Sequence, residues 1–111
     1  MSILTHHLED VFVVAPGRKL SVTEGEGELS AAVQKGMEEG FRKVLLDLTA
    51  VEFIDSLGVG QIVASLVSIQ NRGGKLILCG VGSRVALVLR MANLHLALDI
   101  KEGGPGEMVW G

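Results

Sequence analysis

The chain has 111 residues, 48% of them apolar, with no Tyr, three Phe, one Trp and a net charge of −3; it suits one domain with an aliphatic core of Val, Leu and Ile. Its ten Lys and Arg are scattered without a basic cluster, which argues against nucleic-acid binding, and no apolar run reaches bilayer length, which argues against membrane insertion. Cys79 stands alone, so no internal disulfide can form and a reducing cytoplasm is expected; with no basic region ahead of an apolar run at the N-terminus, no signal peptide is expected either.

Ile3 to Leu8 reads as a first strand and Val11 to Ala15 as a second. The short Glu9-Asp10 turn between them predicts an antiparallel hairpin, and Pro16-Gly17 stops the second strand. Residues 21 to 28 read as loop. Leu29, Ala32, Val33, Gly36 and Met37 then fall on one helical face, with Gly40 placed to end the helix. Val44 to Leu48 is almost wholly apolar, which predicts a central strand covered on both faces. A second helix is expected from Ser56 to about Asn71, with Val59, Ile62, Val63, Leu66 and Gln70 inward, broken by Gly73-Gly74. Lys75 to Cys79 reads as the next strand. After Gly80-Val81-Gly82, Ser83 is expected to cap a third helix that buries Val85, Val88, Leu89 and Ala92 and ends at a left-handed Asn93. Leu96 to Ile100 reads as a last strand. The order β-β-α-β-α-β-α-β predicts an α/β fold, a mixed sheet with helices packed against it. The domain is expected to span residues 1–101, with a flexible tail over 102–111 that Trp110 could pin.

The stretch of most functional interest is Val51-Glu52-Phe53-Ile54-Asp55-Ser56-Leu57-Gly58-Val59-Gly60. It places Asp55-Ser56 at the mouth of a helix, where backbone N–H groups lack intrahelical partners. Ser56 can cap that helix, or offer its hydroxyl to a kinase. Asp55 can assist a phosphosite, or it can itself cap the helix or bond locally. Gly58 and Gly60 keep the first turn slim, for a partner's approach or for tight helix–sheet packing. Leu87 lies off the main stripe of the third helix, which implies either a wide buried face or a partner-contacting patch.

Other chemistries find little support. His6, His7 and His95 belong to no recognisable triad, and no G-x-S-x-G elbow is present. Gly80-Val81-Gly82-Ser83 precedes a helix but lacks a Lys at phosphate-loop spacing. One Cys and three His give no metal-ligand spacing. No enzyme activity, cofactor or metal is expected.

The chain resembles a STAS domain of the anti-sigma factor antagonist type, over roughly residues 8 to 101. The resemblance rests on Val44-Leu45-Leu46-Asp47-Leu48, Phe53-Ile54-Asp55-Ser56-Leu57-Gly58-Val59-Gly60 and Gly73-Gly74-Lys75-Leu76-Ile77-Leu78, and on the spacing between them. It implies a cytoplasmic bacterial regulator that binds an anti-sigma factor when unphosphorylated. The anti-sigma factor is also the serine kinase that switches the antagonist off, a serine phosphatase resets it, and the phosphorylated serine corresponds to Ser56. Asp55, Ser56, Leu57, Gly58, Ser21 and Leu87 are the expected partner-binding residues. Two positions depart from the family pattern. Leu57 stands where a second hydroxyl often follows, and Ser21 follows Leu20 where an acid is common. The alternative role is a non-switching STAS module in a stressosome-like or lipid-transport ATPase complex.

Overall fold

The computed structural model describes residues 3–20 and 28–104. In chain order they form β1 (Ile3–Leu8), β2 (Val11–Pro16), β3 (Lys19–Leu20), α1 (Glu28–Glu38), β4 (Lys43–Asp47), β5 (Phe53–Ile54), α2 (Ser56–Asn71), β6 (Lys75–Cys79), α3 (Ser83–Met91), a 3-10 turn (Leu94–Leu96) and β7 (Asp99–Ile100). Ser21, most of the expected loop before α1, Trp110 and most of the expected tail lie outside the described residues.

Five strands make the main sheet in the order β1-β2-β4-β6-β7. β1 pairs antiparallel with β2 through the Glu9-Asp10 turn, and the other neighbours run parallel. β4 is the middle strand, and Val44, Leu45 and Leu46 are all buried. Alternation along the strands separates two apolar clusters. Phe12, Val14, Val44, Leu46, Leu76 and Leu78 join the buried residues of all three helices. Val11, Val13, Leu45, Ile77 and Cys79 gather on the opposite face, with Leu8 packed against them.

α1 buries Leu29, Val33, Gly36 and Met37, the face its periodicity predicts. Its end turns at Gly40, whose φ of +100° is open to glycine at little cost. The Gly40 N–H donates to the Met37 carbonyl at 3.1 Å and the Phe41 N–H to the Gly36 carbonyl at 3.1 Å. The Arg42 guanidinium also donates to the Met37 carbonyl, at 3.2 Å.

Several sequence expectations need correction. The inner stripe of α2 is Gly58, Gln61, Ile62, Ser65 and Ile69; Val59, Val63 and Leu66 flank it and Gln70 is exposed. The helix is rotated because Gly58, having no side chain, sits directly against the backbone of β3. Ser83 does not cap α3: Gly82 is the N-cap residue, without a side-chain bond, and Ser83 begins the helix. Ala92 is exposed at the C-cap. Asn93 is left-handed as expected, with φ of 59°. The chain beyond it first closes a 3-10 turn, with the Ala97 and Leu98 N–H groups both donating to the Leu94 carbonyl at 3.0 Å. Those bonds take up backbone groups that a strand would have used, so the expected strand over 96–100 shortens to Asp99–Ile100 and leaves Leu96 exposed.

Candidate functional site

The segment leading to Ser56 is shaped by a second, two-stranded sheet. β3 and β5 pair in parallel, Lys19 with Phe53 and Leu20 with Ile54. The Arg18 carbonyl accepts from the N–H groups of Glu52 at 2.8 Å and Phe53 at 3.0 Å, and the Arg18 and Glu52 side chains form an exposed ion pair. These bonds deliver the chain to the start of α2 with Ile54 and Leu20 buried and Phe53 turned outward.

Asp55, not Ser56, caps α2. Its backbone is extended, with φ −113° and ψ −176°, and its carboxylate accepts from the Gly58 N–H at 2.8 Å. The Asp55 carbonyl accepts from the Val59 N–H at 2.9 Å. Ser56 is the first helical residue and is exposed, and Leu57 beside it is 54% exposed. Asp and Ser are about equally good caps, so the adjacent pair left the choice open by one residue, and the backbone settles it. Gly58 is buried, and a Cβ there would collide with the Leu20 carbonyl. Its slimness therefore serves packing against β3. Gly60 is exposed with nothing near the position a Cβ would take.

Leu87 is 57% exposed, so the buried face of α3 is not wide enough to include it. It does meet the Ser56 segment. Glu52, Phe53, Ile54, Arg84, Leu87 and Val88 line one groove of about 200 Å³ between β5 and α3. Phe53, 51% exposed, is not among the partner-binding residues expected from the sequence. Its signal was available: with Ile54 buried in an extended segment, Phe53 must face the other way. An adjoining cleft of about 440 Å³ runs over Val51, Glu52, Gly82, Ser83, Arg84 and Val85. Ser56, Leu57 and the Phe53–Leu87 groove thus lie on connected elements at one end of the molecule. The position of Ser21 relative to them is outside the described residues.

The remaining candidate chemistry is structural. Cys79 is fully buried at the end of β6, with Sγ 3.9 Å from Asp47 Oδ1. Burial, then the neighbouring Asp47 charge and hydrogen bond, push its thiol up to about 12. The same Asp47 oxygen accepts from the Thr49 N–H at 3.1 Å and from the Thr49 hydroxyl. Among the described residues no group of three His, Cys, Asp or Glu could hold a metal, and no helix is long and apolar enough to cross a membrane.

With this geometry in view, comparison with known proteins places the chain. The STAS domain family matches residues 3–102. The chain belongs to the STAS domain family. A Thermotoga neapolitana protein, provisionally named an anti-sigma factor antagonist, is 33% identical over 93 residues, covering 84% of this chain and 82% of its own. The crystal structure of a similarly named protein from Thermotoga maritima superposes with a TM-score of 0.80 at 29% identity, covering 95% of this chain and 89% of its own. The anti-sigma factor antagonist SpoIIAA of Bacillus shares the fold at 15% identity. Its unphosphorylated form gives a TM-score of 0.68 over 96% of this chain and 93% of its own, and its phosphorylated form 0.69 over 96% and 95%.

Proposed function

We propose that this chain is an anti-sigma factor antagonist whose unmodified Ser56 surface binds an anti-sigma factor, and that phosphorylation of Ser56 ends that binding. It acts by docking and not by catalysis. The observation that carries the reading is the division of labour at the start of α2: Asp55 caps the helix while Ser56 stands exposed beside it. Modifying the Ser56 hydroxyl then removes no bond that holds the helix end together.

The physical consequence of phosphorylation follows from position. A phosphoserine adds about −1.5 to −2 charge. At the first turn of a helix that charge meets free N–H groups and the positive end of the helix dipole, which tolerate it. A partner seated over Leu57, Phe53 and Leu87 instead meets a bulky dianion beside Asp55 and Glu52. The fold persists and the surface changes. Leu57 leaves Ser56 as the one hydroxyl of the Asp55–Gly60 segment, so the switch has a single acceptor.

The kinase is the anti-sigma factor itself and the reset is by a serine phosphatase. Incubation with cognate anti-sigma kinases and ATP, followed by mass-spectrometric mapping, is expected to place phosphate on Ser56 and nowhere on a Ser56→Ala variant. Retention of binding with no phosphate on Ser56 from any cognate kinase would favour a non-switching interaction module.

A further inference from the structure

The two edges of the main sheet are built differently. β7 is two residues long, and its Asp99 pairs with Lys75 at 3.3 Å and Lys101 at 3.3 Å. Shortness and charge are the usual protections of a sheet edge against pairing with another chain. β1 has neither. Its six residues, Ile-Leu-Thr-His-His-Leu, include no Lys, Arg, Asp, Glu or Pro, and they pair with β2 in unbroken register without a bulge. Leu4, Thr5, His6 and His7 are all exposed, and Leu4 is 70% exposed. Among the described residues no further strand pairs along this edge.

The register also says which groups the edge presents. In a two-residue hairpin the pair flanking the turn is hydrogen-bonded, here Leu8 with Val11. Alternation makes His6–Val13 and Leu4–Ala15 the next bonded pairs. His7, Thr5 and Ile3 therefore direct their N–H and C=O groups away from β2. Pro16 opposite Ile3, with no N–H to give, agrees with this assignment.

We propose that β1 is a self-association edge, pairing antiparallel with β1 of a second copy to continue the sheet across a two-fold axis. Outward groups at Ile3, Thr5 and His7 are symmetrically spaced, so Thr5 meets Thr5 of the second copy while Ile3 meets His7. Each such pair exchanges both of its hydrogen bonds. On the other face Leu4 comes opposite His6 of the second copy, which covers much of its exposed surface. The antiparallel sense also keeps the acidic Glu9-Asp10 turns at opposite ends of the joint, where a parallel pairing would bring them together. The occupant is a second copy because the edge is self-complementary in register and has no Lys, Arg, Asp or Glu to meet a charged partner. A joint this narrow falls below the area of stable dimers, so association is concentration-dependent.

Sedimentation velocity of the full chain across micromolar to millimolar concentration tests this, with amide hydrogen exchange on the same samples. The weight-average mass rises from monomer towards twice that value, and the Thr5 and His7 amides become protected in step with it. Thr5→Pro and Leu4→Lys each abolish the rise, with circular dichroism and thermal unfolding showing whether each variant is folded. If Thr5→Pro does not fold, Leu4→Lys decides. A chain that stays monomeric throughout, or a dimer formed with Thr5 and His7 still unprotected and unaffected by Leu4→Lys, overturns the proposal.

Discussion

At the start of α2, neighbouring residues of similar chemistry do different work. Asp55 holds the Gly58 N–H, so Asp55→Ala is expected to lower stability by about 1 kcal/mol. Ser56→Ala is expected to stay within about 0.5 kcal/mol of the parent. Urea unfolding of the two variants checks the pair; a larger loss at Ser56 would make it the structural residue. The glycines divide in the same way. Gly58→Ala drives a methyl group into the Leu20 carbonyl and is expected to cost about 1–3 kcal/mol as the backbone shifts. Gly60→Ala points into open space within a helix and is expected to stabilise by up to about 1 kcal/mol through helix propensity. Opposite signs for the two in thermal unfolding are the expected result.

At the scale of elements, the C-terminal ends of β4 and β6 hold a testable buried group. The Cys79 thiol is pushed up to about 12 from an ordinary value of 9.0. Its folded pKa lies above its unfolded one, so its contribution to stability is intact below about pH 9 and is lost as pH rises from there towards 12. The parent is therefore expected to lose more stability over that range than Cys79→Ala. Equal slopes in the two unfolding series would show that the thiol ionises freely in the native state. Elements marked by apolar runs or punctuation were legible in the sequence: β1, β2, β4, β6, α2 and α3 begin within a residue of where it places them, and α1 buries the face its apolar spacing predicts while α2 does not. β3 and β5 were not legible, because each is two residues long and exists only through pairing with the other, a segment distant in sequence. The last strand was overread because Leu96, Leu98 and Ile100 alternate like a strand, while the Leu94 carbonyl closes a turn that no side-chain pattern reports. The caps were each displaced by one residue, since Asp55-Ser56 and Gly82-Ser83 offer two acceptable cap residues in a row and only backbone angles distinguish them.

For the whole molecule, the proposed action is a change of surface chemistry on a fold that persists. Three helices on one face of a five-stranded sheet bury an aliphatic core, and Ser56, Leu57 and the Phe53–Leu87 groove stand at one end of it. The Ser56 part of this candidate site can be read as a motif, because consecutive residues carry it. The groove cannot, because Phe53 and Leu87 meet only when β5 packs beside α3. The most direct test is the affinity of the cognate anti-sigma factor for the parent chain, Ser56→Asp and Leu87→Ala, measured by titration calorimetry alongside thermal unfolding. Ser56→Asp is expected to weaken binding at least tenfold and Leu87→Ala to weaken it measurably, with both unfolding close to the parent temperature. Unchanged affinity of Ser56→Asp, or a loss of binding that merely follows a large loss of stability, would contradict the proposed switch.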